Sequence, residues 1–302
     1  MANPLHFDLQ SLRVFIAVAE WGSLTRAAEH CRLTLSAVSK RIAELEAVAD
    51  CALLARHARG VELTTAGRGL LAHATQLLDQ VNRMASEMSD YAVGVRGHVR
   101  IWANTSAIVQ FLPADLKAFL AINPSVRISL EERLSDEIVE AVGTGKADLG
   151  VFADNVPASL LERRRYRGDQ LVLLVPASHR LARRKQIGFE EALDEEFVGL
   201  NEGSSLLSRM REAALVVNRP IRIRIQVTSF DGICRMIEAG LGIGVLPQGA
   251  VRAELRAAGL SMVPLRDPWA QRTLWVGAHR DRTLTPEAVR LFDFLSAPKP
   301  PA

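Results

Sequence analysis

Cysteine is scarce in this 302-residue chain, at three residues: Cys31, Cys51 and Cys234. They are odd in number, widely spaced and free of any CxxC pair, which excludes a disulfide framework and fits a reduced compartment. The seven histidines are scattered, with no HExxH spacing and no His/Cys cluster, so neither a zinc site nor another cofactor is expected. Long apolar runs are also missing. VFIAVA (14–19) and LVLLVPASH (171–179) are too short to span a bilayer, and the first residues, MANPLHFDLQSLR, lack the basic start and apolar stretch of a signal peptide. The expected location is the cytoplasm, with no membrane partner. No glycine-rich phosphate loop and no Ser-His-Asp set can be assembled, so an enzyme is not expected. Charge of one sign is lacking as well. The net charge is +3, and residues 1–95 hold nine Lys/Arg against ten Asp/Glu. A uniformly basic nucleic-acid arm is therefore excluded, and any nucleic-acid role must rest on local focusing of cations.

What is present is an ordinary globular composition, 48% hydrophobic and 24% charged, on a chain long enough for two or three domains. Residues 9–20 read as a helix with Leu12, Phe15, Ile16 and Ala19 inward. WGS (21–23) breaks it. Ser23 can cap a second helix, LTRAAEHC, and Thr34 a third after the turn at 32–34. The small Ala27 and Ala28 let the two helices approach closely, as in a helix-turn-helix. In the third helix Val38, Ile42 and Leu45 form one apolar stripe. The opposite side shows Ser36, Ser39, Lys40 and Ala43, with Arg41 on its flank. Short hydroxyls and cations with few acids suit a helix laid in a major groove. Thr34 belongs to the same surface, Lys40 is the leading base or phosphate contact, and Arg41 and Arg26 suit phosphates. CALLARHARGVELT (51–64) reads as a two-stranded wing whose Arg56 and Arg59 suit phosphates or the minor groove.

Thr65 is placed to cap a long helix whose Leu70, Ala74, Leu77, Val81, Met84 and Met88 recur with a period of 3.5, the seam of a dimerising coiled coil. YAVGVRG (91–97) supplies a hinge. From His98 onward, strands (HVRIWA, VRISLE, ADLGVFA, QLVLLV, FVGL, IRIRIQV, GIGVLP, TLWVGA) alternate with helices at 106–122, 135–143, 205–217, 230–240, 247–257 and 286–296, which predicts an α/β fold with mostly parallel sheets. About two hundred residues imply two subdomains with a cleft between them. Three strand ends open onto helices with polar residues: Asn104, Thr105 and Ser106; Ser204 and Ser205; Thr228, Ser229 and Phe230. Such ends bind anions, typically a carboxylate, and Phe152 and Phe230 are expected to add apolar lining. Arg133 to Ser135 is expected at the rim, while Glu131, Glu132 and Glu202 leave room for a cationic or zwitterionic ligand. The arginines at 163, 164, 165 and 167 read as a solvated strand near the subdomain crossover.

The run SLTRAAEHCRLTLSAVSKRIAELEAVADCALLARHARGVELTTAGRGLL closely resembles the winged helix-turn-helix of LysR-type transcriptional regulators. PADLKAFLAINPSVRISL, GKADLGVF and MIEAGLGIGVLP resemble that family's effector-binding domain, so the likeness spans nearly the whole chain. One departure is Ser36, where the family often has proline. The resemblance implies a winged DNA-binding domain over 1–65, a linker and dimerisation helix over 66–91, a hinge over 92–97, and a periplasmic-binding-protein-like effector domain over 98–302. Its first subdomain covers about 98–163 and 270–302, its second about 164–269. It implies a homodimer, often a homotetramer built as a dimer of dimers, on promoter DNA, with a small-molecule effector between the subdomains; RNA polymerase is a further candidate partner. The competing readings are a regulator with no inducer, and a solute-binding or enzymatic cleft with an appended DNA-binding module.

Overall fold

The computed structural model describes residues 7–57, 60–92, 97–251 and 259–298. The chain divides into two compact units, Met1–Val93 and Gly94–Ala302. In the first, Asp8 opens α1 (Leu9–Trp21) by accepting the Ser11 N–H at 2.9 Å. The buried stripe runs through residues 11, 14, 15 and 18, so Val14 and Val18 join Leu12 and Phe15 inside, while Ile16 and Ala19 are only half-buried. Ser23 caps α2 (Leu24–Cys31), and Thr34 Oγ1 caps α3 (Leu35–Ala49) by accepting the Ala37 N–H at 3.2 Å. Between them Arg32 takes a left-handed conformation that turns the chain. Ala27, Ala28, Val38, Ile42 and Leu45 are buried in one core with α1.

The wing pairs β1 (Leu54–His57) antiparallel with β2 (Gly60–Leu63). Glu46 Oε1 accepts the N–H groups of Leu53 (2.8 Å) and Leu54 (3.1 Å), which ties the start of the wing to α3. Gly60 sits at φ +142°, and a Cβ there would lie 2.5 Å from the Gly22 carbonyl oxygen, so only glycine fits between the wing and the α1–α2 turn. The following helix, α4, spans Thr65–Ala92. Its cap is Thr64 rather than Thr65: the Thr64 hydroxyl accepts the Gly67 N–H at 3.0 Å and itself donates to the Ala52 carbonyl at 2.8 Å. The expected seam is divided in two. Ala74 is fully buried and Leu70 half-buried against the core of their own unit, which removes both from a seam between chains. Leu77, Met84 and Met88 are exposed and Val81 is half-buried, leaving a shorter apolar stripe over the last four positions.

The second unit holds the remaining strands, β3 (Gly97–Ala103), β4 (Val126–Glu132), β5 (Leu149–Ala153), β6 (Leu161–Pro176), β7 (Glu196–Leu200), β8 (Arg222–Val227), β9 (Gly244–Pro247), β10 (Leu260–Pro264) and β11 (Gln271–His279). The helices are α5 (Thr105–Gln110), α6 (Leu112–Ile122), α7 (Ser135–Thr144), α8 (Ser205–Val216), α9 (Phe230–Glu238) and α10 (Pro286–Ser296). The expected 106–122 helix breaks at Phe111, and where a helix over 247–257 was expected a single 3₁₀ turn (Gln248–Ala250) forms; 252–258 lies outside the described residues. The sheet is mixed rather than mostly parallel. β3 is parallel to β4 and β5, and β7 to β8, but β11 is antiparallel to β5 and β6, and β6 is antiparallel to β9 and β10. The physical reason is the route of the chain. β6 leaves one hydrophobic core and enters another, and β11 returns beside it in the opposite direction. One core is built on β3, β5, β11 and α10, the other on the second half of β6 with β7, β9, β10, α8 and α9. The arginines of β6 are held along this crossing: Arg163 stacks on Trp275, Arg164 bonds Asp293, and Arg167 bonds Asp115. Among the described residues no helix is long and apolar enough to cross a membrane.

Candidate DNA-reading and effector-binding surfaces

On α3 the stripe Val38, Ile42 and Leu45 is buried, and Thr34, Ser36, Lys40 and Ala43 are exposed with Ser39 half-buried between them. The Thr34 and Ser36 hydroxyls lie 3.1 Å apart. The Lys40 side chain is 78% exposed and only loosely paired, 3.8 Å from Glu44 on the next turn, a contact of little energy at such exposure. Arg26 is exposed on α2. Arg41 departs from the expected role. Its guanidinium donates to Ser11 Oγ (3.1 Å), Gln10 Oε1 (3.0 Å) and Asp8 Oδ1 (3.5 Å), so it ties α3 to the start of α1 instead of standing free for phosphate. The hydrogen bond from the Ser11 side chain, with help from its N–H and from Arg41, holds the Asp8 carboxyl below the usual range. For Arg56 the structure fixes only its place in β1, and Arg59 lies outside the described residues.

In the second unit the ends of β3, β4 and β8 face one another across a cleft of about 600 Å³. Thr105, Thr228, Ser229 and Phe230 are among its lining residues, joined by Glu132, which the sequence places nearby, and by Val109, Glu137, Asn201 and Asp231, which it does not single out. Arg133 and Leu134 form part of the rim, whereas Ser135 is buried and accepts the Ala153 N–H. Three expected residues serve other ends with their side chains, and Ser205 is not among the lining residues. Asn104 is buried and caps α5, accepting the Ala107 N–H at 3.0 Å. Ser106 is buried and accepts from Arg272 at 2.7 Å. Ser204 is buried as the cap of α8, and the Ser205 carbonyl accepts from Asn155. Phe152 is also corrected: it is fully buried with Ile138 and Val142 of α7, on a strand whose every residue is buried, and is not among the lining residues.

The electrostatics of the cleft are two-sided. On one side the entry to α9 presents Thr228 and Ser229, with Asp231 of the first turn paired to Arg235; the Ser229 hydroxyl accepts the Gly232 N–H at 3.1 Å and keeps its own proton to donate. On the other side stand Glu132, hydrogen-bonded by Thr105 at 2.6 Å, and Glu137, which accepts the Leu134 N–H. Arg133, the one arginine of the lining among the described residues, donates to Glu131 at 2.7 Å and stacks over Trp102. Glu202 takes no part. Arg211 grips both its oxygens at 2.6 Å and Gln226 adds a third bond, which drive its carboxyl down to about 2. Since folding lowers this value, the favourable contribution is present at neutral pH and fades as pH falls from about 4.5 towards 2. Carbon-detected NMR titration is expected to place Glu202 near this value in the parent chain and, in Arg211→Ala, up towards the ordinary range. An unchanged titration would mean that the fork does not persist in solution.

A helix-turn-helix with a wing, followed by a two-core α/β unit with an open cleft, defines a DNA-binding regulator carrying a receptor for small molecules. Two family models match the chain in agreement with this: "Bacterial regulatory helix-turn-helix protein, lysR family" over residues 9–68 and "LysR substrate binding domain" over 92–298. The chain belongs to the LysR family of transcriptional regulators. Among its relatives is an uncharacterized HTH-type transcriptional regulator, YwbI, of Bacillus subtilis (strain 168), 30% identical over 92% of each chain. Full-length CbnR complexed with its target DNA is similar in fold, with a TM-score of 0.73 at 21% identity over 96% of this chain and 99% of that one. So is the regulatory domain of CcmR from Synechocystis PCC6803 in complex with 2-PG, with a TM-score of 0.61 at 23% identity over 67% of this chain and 97% of that one.

Proposed function

We propose that this chain is a cytoplasmic, homodimeric regulator that reads promoter half-sites with α3 and is switched by a small carboxylate in the cleft, without catalysis. The observation that carries the reading is the exposed face Ser36–Ser39–Lys40–Ala43 over a fully buried apolar stripe, a helix presented outward with short polar residues and a nearly free cation. Arg41 supports it as a positioning residue that fixes the tilt of α3 on α1. The exposed stripe Leu77, Met84 and Met88 supports pairing of two chains, and a dimer of dimers is the further assembly.

For the effector, the hydroxyls and first-turn N–H groups of α9 suit a carboxylate. Glu132 and Glu137 across the cleft disfavour a second anionic group and favour an ammonium, so the class proposed is a small amino acid or an amine-bearing carboxylate. Binding closes the two lobes about the β6 and β11 crossing and changes the spacing of the DNA-binding domains. Of the expected hinge, residues 93–96 lie outside the described residues.

Thermal unfolding of the full chain against a panel of amino acids, simple monocarboxylates and dicarboxylates tests this. A ligand at a hundred times its Kd raises stability by about 2.7 kcal/mol. The expected result is a shift confined to amine-bearing carboxylates and abolished by Glu132→Gln. A panel with no shift would favour a regulator without an inducer, and a shift from dicarboxylates alone would contradict the assigned polarity of the cleft.

A further inference from the structure

The surface of α3 holds one residue that the polar reading of the helix leaves unexplained. Leu35, the first residue of α3, is 49% exposed. It stands between Thr34 and Ser36, both exposed, whose hydroxyls are hydrogen-bonded to each other at 3.1 Å while the Thr34 oxygen also caps the helix. Leu24 and Leu33 nearby in sequence are packed against the domain core, yet Leu35 projects past it. At about 100° per residue, Leu35 lies about 20° from Ile42 of the buried stripe and about 40° from Ser39, so it prolongs the border of that stripe beyond the domain core, with Ser36 and Lys40 further round on the exposed face. An exposed leucine is ordinary on a protein surface. Its place at the end of this helix is not, because the N-terminal residues of a recognition helix are those that reach base edges.

We propose that Leu35 is a specificity-determining residue that packs against a thymine 5-methyl group in the major groove. The inference rests on the DNA-reading role of α3. Leucine carries no donor or acceptor, so against guanine or cytosine it would strip water from polar base edges and return nothing. The thymine methyl is the one apolar feature that the major groove displays. Thr34 and Ser36 on either side supply the polar contacts, and Lys40 one turn further along supplies the charge that draws the helix in. The consequence is a required T·A pair in each half-site, set by contact with carbon.

The test uses the full-length chain. Random-sequence duplexes are selected for binding, and each thymine of the enriched site is then replaced in turn by deoxyuridine, which keeps pairing and removes only the methyl group. One thymine per half-site is expected to weaken binding by about four-fold when replaced, the worth of one buried methyl. Leu35→Ala is expected to bind the thymine site less tightly and to respond equally to thymine and uracil there. Leu35→Ser, which restores a polar side chain, checks that any loss is not one of folding and is expected to show the same indifference. An enriched site with no uracil-sensitive position, or sensitivity retained in both variants, overturns the assignment of Leu35 while leaving DNA reading intact. No enrichment of any sequence overturns DNA reading itself, and the inference with it.

Discussion

Asp169→Ala is expected to lower the unfolding temperature of the effector domain by on the order of 10 °C, more than any other single change considered. Asp169 and Arg272 form the most deeply buried ion pair described, with side chains 2% and 1% exposed. Arg272 Nε donates to Asp169 Oδ2 at 2.9 Å, its terminal nitrogen reaches Ser106 Oγ, and Gln110 adds a bond to the same carboxylate at 3.2 Å. The pair joins β6 to β11 where the two strands cross between the cores, and α5 supplies both Ser106 and Gln110. Removing the carboxylate leaves a guanidinium buried without its counter-charge, which costs about 3–5 kcal/mol. For a domain of this size each kcal/mol is worth about 2–4 °C. The pair itself is not a large net gain over an apolar isostere, so the double variant Asp169→Leu/Arg272→Met is expected to recover most of the loss. Thermal unfolding of the three proteins decides. A single variant that melts with the parent would show that water reaches the pair. Because Thr105 and Val109 of the same short helix line the cleft, the single variant is also expected to weaken effector binding beyond what its stability loss explains.

Lys40→Ala is expected to weaken binding to a selected operator about 5- to 150-fold per half-site, the range for one direct base contact, while leaving the fold untouched. The side chain is exposed along its length and its partner Glu44 is distant, so nothing within the domain depends on it. The form of the loss separates two roles. A base contact narrows the loss to particular sequences; a phosphate contact weakens all sequences alike and lowers the slope of affinity against salt by about one. Lys117→Ala, at an exposed lysine of the effector domain, is the control and is expected to change neither. Fluorescence anisotropy across a salt series measures both quantities. Equal affinity of Lys40→Ala and parent would remove α3 from the interface.

The N-terminal module was largely legible because its signals are local. Ser23 and Thr34 cap the helices they were expected to cap, and the alternation of α3 places Val38, Ile42 and Leu45 inside. The failures there are failures of range. Which of two adjacent threonines caps α4 depends on the wing carbonyls that hold Thr64, and the fate of Arg41 depends on acceptors thirty residues away at the start of α1. The division of the seam has the same origin: a period of 3.5 marks an apolar face but does not say which part of it the chain itself covers. In the effector unit most strands are legible from their apolar runs, though the short β10 is not, and their directions are not either, since these follow from the chain crossing twice between two cores. Phe152 shows the limit most clearly. A strand buried on both faces carries no alternation, so its sequence cannot say which face meets the ligand. Among the helix ends, a serine reads the same whether it caps quietly, as Ser204 does, or faces a cleft, as Ser229 does. Glu132 sits beside a predicted junction in the sequence, and its acidity is the signal for the second side of the cleft.

The most direct measurement is methylation protection of guanine N7 on an operator bound by the full-length chain, since N7 is reached only through the major groove. With α3 seated there, guanines are protected in two patches a whole number of helical turns apart, and the protection at each patch weakens in Lys40→Ala. A saturated complex in which every guanine N7 stays as reactive as in free DNA would contradict the assignment of α3 as the reading helix.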